Sequence, residues 1–318
     1  MKRALLCSAF AALLTGCGLC PSPPSAATGT AARYPITDVA SAPATPVRNQ
    51  AKSGTCWAFG GVSLIESEAI RTRRCTPDLS EMWVVRHAYF EKAVKYVRTR
   101  GRVAFDQGGE IQDVLWLVDR YGIVPQSLYE GGAADGTYDH ASLAKAIRRL
   151  AKRIVDKKLY EKEHWQRMID EELDRRLGAR PDRFVIDGVA YTPFSYADSI
   201  GFRRDDYVAL TSFTHHPFFE RFVLEIPDNW AAHATLNIPL DSLMRLLDSA
   251  LAAGYTAAWD ADVSERGFGR RAGIALLPQQ EGRITLPAPE IVVDQPLRQR
   301  MFDTQATTDD HVMHIVGT

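Results

Sequence analysis

NQAKSGTCWAFGGVSLIESE, residues 49–68, sets a cysteine where a loop turns into a helix. From Cys56 onward, Ala58, Phe59, Val62, Leu64, Ile65 and Ala69 recur at helical spacing, and Glu66 and Glu68 fall off that apolar face. Cys56 is therefore expected at a helix N-terminus. Unsatisfied N–H groups and the helix dipole there favour a thiolate over a thiol. Gln50 lies six positions upstream, Trp57 follows at once, and Ser53 and Gly54 form the loop between. Taken alone, a cysteine on an amphipathic helix also fits a buried packing residue, since free cysteines are common in cores.

Ser53-Gly54-Thr55-Cys56-Trp57 resembles the nucleophile signature of the papain-like cysteine peptidases, Cys-Gly-Ser/Ala-Cys-Trp/Tyr. Ser53 replaces the first cysteine of that signature. In this the chain resembles the bleomycin hydrolase/aminopeptidase C branch, which carries Ser-Gly-x-Cys-Trp. The resemblance implies an α+β fold, with a helical domain holding Cys56, an antiparallel β domain holding a histidine, and a cleft between them. It implies that Gln50 and the Cys56 N–H form an oxyanion hole, two donors aimed at charge that develops during acyl transfer. Gln50 and Trp57 at these offsets favour the nucleophile over the packing residue.

The 318 residues are 46% hydrophobic and 24% charged with a net charge of -1, an ordinary globular composition. Nothing in that charge suggests a nucleic-acid surface. Residues 1–17 read as a lipoprotein signal peptide, with Lys2 and Arg3 before the apolar run Ala4–Leu14. Leu14-Thr15-Gly16-Cys17 resembles the bacterial lipobox, which implies a lipid on Cys17; an ordinary cleaved signal is the alternative. Either way export is expected, and with the lipid the protein is a membrane-anchored lipoprotein of periplasm or cell surface. Residues 18–34 read as a flexible linker and 35–318 as the peptidase domain. Cys20 and Cys75 are left to pair or not, no Cys/His spacing fits a zinc site, and no cofactor is expected.

Further along, Asp78–Arg100 is expected to be a helix capped by Ser80, with His87 packed on its inner stripe. Gln107-Gly108-Gly109-Glu110 leads into a third helix ended by Gly122. The resemblance lays Gly108 and Gly109 along the substrate cleft, where glycine permits close backbone approach. Glu110 either meets substrate or is a solvated helix-start carboxylate. Residues 139–190 read as a charged helical insertion, expected in this branch. Strands are expected at Tyr207–Phe213, Arg221–Ile226 and Tyr255–Trp259, with helices at Leu240–Ala253 and Pro296–Phe302. Asp205–Phe218 and Glu225–Trp230 also resemble the branch, and His215 and His216 are read as loop residues.

Near the end, Asp310-His311-Val312-Met313 resembles the segment that carries the branch's catalytic histidine, which selects His311 as base. His314 becomes a back-face or core residue. The separation of 255 residues between Cys56 and His311 exceeds the roughly 130–150 of papain itself, consistent with the insertion. An orienting asparagine in an Asn-Ser-Trp-Gly segment does not occur in the sequence. The expectation is a peptidase lacking its last strands, with an exposed edge beside the histidine. Peptides are the expected substrate, with exo or endo action open. A catalytically impaired peptide-binding lipoprotein, or acyl transfer to amines, is the alternative.

Overall fold

The computed structural model describes residues 37–103, 105–132, 138–269, 273–279 and 289–318. The expected signal peptide, Cys17, Cys20 and the expected 18–34 linker lie outside them.

Five helices build one half: α1 (Cys56–Arg73), α2 (Glu81–Arg98), α3 (Ile111–Tyr121), α4 (Ala141–Asp156) and α5 (Lys162–Leu177). Local sequence explains their starts. The Ser80 hydroxyl accepts from the Trp83 N–H at 2.9 Å, and Glu110 and Asp113 form a reciprocal cap on α3. Helices α4 and α5 fall within residues 139–190, the charged stretch expected to be helical. They pack on α2, where the fully buried Arg86 reaches Asp170 (3.1 Å) and Asp174 on α5. His87 packs as expected, its Nδ1 2.7 Å from the Trp83 carbonyl and its ring stacked on Tyr121.

The other half is stranded. A hairpin of β1 (Phe184–Ile186) and β2 (Val189–Tyr191) follows α5 and leads into α6 (Pro193–Ser199). Sequence periodicity missed α6, although Thr192 and Ser195 cap it and Pro193 opens it. Strands β3 (Leu210–Thr211), β4 (Arg221–Val223) and β5 (Ala234–Asn237) form a sheet in the order β3-β5-β4. The expected strand over 207–213 is thus cut to two residues. Beyond it the fully buried Asn237 takes over the backbone, accepting from Phe213 N–H and donating to the carbonyls of Phe213, His216 and Pro217. Then follow α7 (Leu240–Ala252), β6 (Ala257–Ala261), β7 (Phe268–Gly269), β8 (Ile274–Ala275), α8 (Gln295–Asp303) and β9 (His311–Ile315). Strand β9 pairs antiparallel with β6, His311 opposite Ala261 and Val312 opposite Asp260.

Helix α1 lies between the halves, with α3 on one flank and β9 on the other. Two glycines set these approaches. A Cβ on Gly61 would fall 2.6 Å from Val114 of α3, and one on Gly60 would fall 2.6 Å from Val312 of β9. Glu66 corrects the expected helix face. It is buried, accepting from the Leu79 N–H (2.8 Å) and the Thr45 hydroxyl. Among the described residues β9 pairs with β6 alone, and a short pairing lies beyond its end. Residues 39–42 pair with 316–318, with Ala42 N–H to Val316 O at 2.7 Å and Thr318 N–H to Ala40 O at 2.9 Å.

Candidate active site

The loop before Cys56 is fixed by its own polar atoms. Ser53 Oγ donates to Gln50 O (2.7 Å) and lies 2.6 Å from Thr55 Oγ1. Gln107 ties the next strand of chain alongside: its Oε1 accepts from the Gly54 N–H at 2.9 Å and its carbonyl from Trp57 Nε1 at 3.0 Å. Cys56 then opens α1, so its own N–H lies in the first helical turn, where no carbonyl four residues back can claim it.

Cys56 is a half-buried free thiol. Burial pushes it up from its ordinary pKa. N–H groups of Val312 and Trp57 directed at the sulfur pull it back, and the charges of Asp260 and Asp228 push it further up. A thiolate at this position therefore needs a base or a positive charge beside it. Desolvation outweighs the N–H groups. Cys75 is likewise a free thiol, beside the Ala69 carbonyl.

His311 begins β9, half-buried, and is the residue before the Val312 whose N–H faces the Cys56 sulfur. Val312 packs on Gly60. His314 is held elsewhere on α1: its Nδ1 lies 2.8 Å from Ser63 Oγ, seven residues along the helix from Cys56. Burial lowers its pKa to about 4, so it stays neutral. Gln50 lies at the mouth of the loop, but its amide donates to the Ser53 carbonyl at 2.6 Å.

Gly108 and Gly109 run beside this constellation. A Cβ on Gly109 would sit 3.0 Å from the Trp57 ring, and one on Gly108 would collide with the Asp228 carboxylate. Glu110, Asp260 and Asp309, from three distant segments, bring carboxylate oxygens within 4.8 Å of one another. Burial and the neighbouring acids raise Glu110 to about 9 and Asp260 to about 7. Glu110 is thus no solvated helix-start residue. Sequence reading missed Asp228, Asp260 and Asp309 as site residues. Nothing local marks them, because only the fold assembles them.

Among the described residues a second trio, His215, His216 and Glu225, has metal-ligand spacing. Both Nε2 atoms meet Glu225, at 3.2 and 2.7 Å. Gln299 accepts from the Thr214 N–H through Oε1 and turns its NH2 to His215 Nδ1 (3.0 Å). That fixes the His215 proton on Nε2, where a metal would need a lone pair.

The sequence model of the family described as "Papain family cysteine protease" matches residues 35–168, a segment that holds Gln50, Cys56, Gly108 and Gly109 and stops before β9. The crystal structure of PepW from Lactobacillus rhamnosis HN001 (DR20), determined as a selenomethionine derivative, superposes with a TM-score of 0.66. The match covers 88% of this chain and 72% of that one at 18% identity. No curated protein sequence matches. The fold is the papain-like α+β fold that the sequence led us to expect.

Proposed function

We propose that the protein is a cysteine peptidase of the aminopeptidase C/bleomycin hydrolase type, acting through Cys56 and His311. The observation that carries this reading is the approach of β9 to the head of α1, with the Val312 N–H directed at the Cys56 sulfur and His311 next to it. His311 takes the Cys56 proton, and the imidazolium supplies the positive charge that the buried thiol needs in order to ionise. The thiolate attacks the peptide carbonyl. The oxyanion is received by the Cys56 N–H and by Gln50, whose amide turns from the Ser53 carbonyl when substrate enters. His311 protonates the departing amine and then activates the water that hydrolyses the thioester. A lipid on Cys17 would hold this activity at a bacterial membrane outside the cytoplasm.

A peptide-binding role without turnover is the second reading. The engaged Gln50 amide and the upward-shifted thiol favour it. A thiol-directed epoxide peptide separates the two. Rapid labelling confined to Cys56 and lost in His311→Ala supports the peptidase. Labelling no faster than that of a free thiol refutes it.

A further inference from the structure

Helix α4 keeps its apolar residues inside. Leu143, Ala144, Ala146, Ile147, Ala151 and Ile154 are buried, which turns the rest of its surface to solvent. That surface is basic. Residues 145–158 hold seven lysines and arginines, all exposed, against the single acid Asp156. A local charge of +6 thus stands in a chain whose net charge is -1. The helix has 16 residues, so the basic stripe runs for about 24 Å at about 1.5 Å per residue.

Helix α5 adds a second wall. Arg149, Leu150 and Arg153 of α4 face Glu172 and Arg176 of α5 across an open groove of about 260 Å³. Glu172 is the one carboxylate among these lining residues, and it is already engaged, by Arg175 at 2.6 Å and Arg176 at 2.7 Å. The bonds from Arg175 and Arg176 hold it below the ordinary carboxylate range. On α4, Lys152 is paired with Asp156 at 2.6 Å, whereas Arg149 and Arg153 make no ion pair among the described residues. Two unpaired arginines one helical turn apart present planar forks that suit phosphate oxygens.

We infer that the outer face of α4 is a docking surface for an anionic phospholipid bilayer, with the groove between Arg149, Arg153 and Arg176 taking a headgroup phosphate. Extent favours a lipid surface over a small phosphate ligand. The groove has room for one headgroup, yet the exposed charge continues past it, from Lys145 on one side to Lys157 and Lys158 on the other. A row of headgroups uses all of that charge. Tyr160, exposed just beyond the end of α4, adds an amphipathic ring of the kind that settles at headgroup level. A nucleic acid would take the same phosphate contacts, but the groove lining offers no aromatic ring on which a base could stack. The inference goes beyond the peptidase reading and needs neither Cys56 chemistry nor a lipid on Cys17, because it rests on the charge of α4.

The test is sedimentation of the full chain with sucrose-loaded vesicles. Vesicles of phosphatidylcholine with about one third phosphatidylglycerol are compared with vesicles of phosphatidylcholine alone at about 0.15 M salt. An apolar leader or a lipid contributes to both, so the difference between the two reads the charged face. The anionic vesicles should be preferred at least about a hundredfold, and less as salt rises. Arg149→Gln/Arg153→Gln should lower that preference roughly thirtyfold and leave binding to neutral vesicles unchanged. Arg203→Gln/Arg221→Gln removes the same charge outside α4 and α5 and should keep the preference, with melting curves of both variants establishing folding. Equal binding to the two vesicles, an unchanged preference in the α4 variant, or an equal loss in the control variant overturns the inference. So does a DNA duplex or inorganic phosphate that strips the wild type from anionic vesicles at constant ionic strength, since the groove would then belong to a nucleic acid or to the free anion.

Discussion

Gly60→Ala tests the joint between the helix that Cys56 opens and the strand that His311 begins. The added Cβ would lie 2.6 Å from Val312 Cγ1 and 3.7 Å from the Met313 carbonyl. Carbon atoms in contact prefer about 3.5–4.0 Å, so the gap must open by roughly 1 Å. Val312 cannot easily yield, since it is nearly fully buried and β-branched. Alanine gains about 1 kcal/mol of helix propensity over glycine, and overpacking costs about 1–3 kcal/mol, so the net stability loss is only about 0–2 kcal/mol. Activity should suffer more. A shift of about 1 Å between reacting groups costs on the order of a hundredfold. The assay is the rate of Cys56 labelling by the epoxide peptide, read beside a thermal melt. Gly60→Ala should label at least tenfold more slowly while melting only a few degrees lower. Adding Val312→Ala should restore much of the rate by vacating the space. An unchanged rate in the single variant, or no recovery in the double, refutes the claim that this contact sets the approach of β9 to the sulfur.

His311→Ala should abolish accelerated labelling in a chain that a thermal melt shows to be folded. His314→Ala should keep the labelling and lose about 1–3 kcal/mol by urea unfolding, since it strands Ser63 and a buried cavity. Arg86→Ala should destabilise by about 3 kcal/mol, because the carboxylates of Asp170 and Asp174 lose a fully buried cation between α2 and α5; urea melts read this directly. The acid cluster gives a pH signature. Glu110 at about 9 and Asp260 at about 7 hold protons in the folded state that an unfolded chain has already released. Their contribution to stability is full at low pH and declines as pH rises from the ordinary carboxylate range through those values. Asp260→Asn should flatten the decline between pH 5 and 7, and a urea profile parallel to that of the wild type would count against it.

The helical half was legible because its signals are local. Ser80, the Gly108-Gly109-Glu110 start and the Gly122 stop are each written within a few residues of the boundary they set, and Cys56 falls at the helix head where its neighbours predicted. The stranded half was less so. Tyr207–Phe213 has strand composition, yet the buried Asn237, more than twenty residues away, captures the backbone that a sheet partner would have taken. Glu66 misled for a related reason. Its helical position says surface, but the Leu79 N–H and the Thr45 hydroxyl, both distant in sequence, give a buried carboxylate its partners. The acids around the cleft come from four separate segments, so no spacing rule could gather them. The thiol's upward shift is a property of burial, which sequence does not report.

The clasp between residues 39–42 and 316–318 gives the leading segment a mechanical role. Any pull on residues 39–42 loads those hydrogen bonds first, and they lie in line with the strand that begins at His311. The register of β9, which begins at His311, is thus tied to a segment from the opposite end of the described chain.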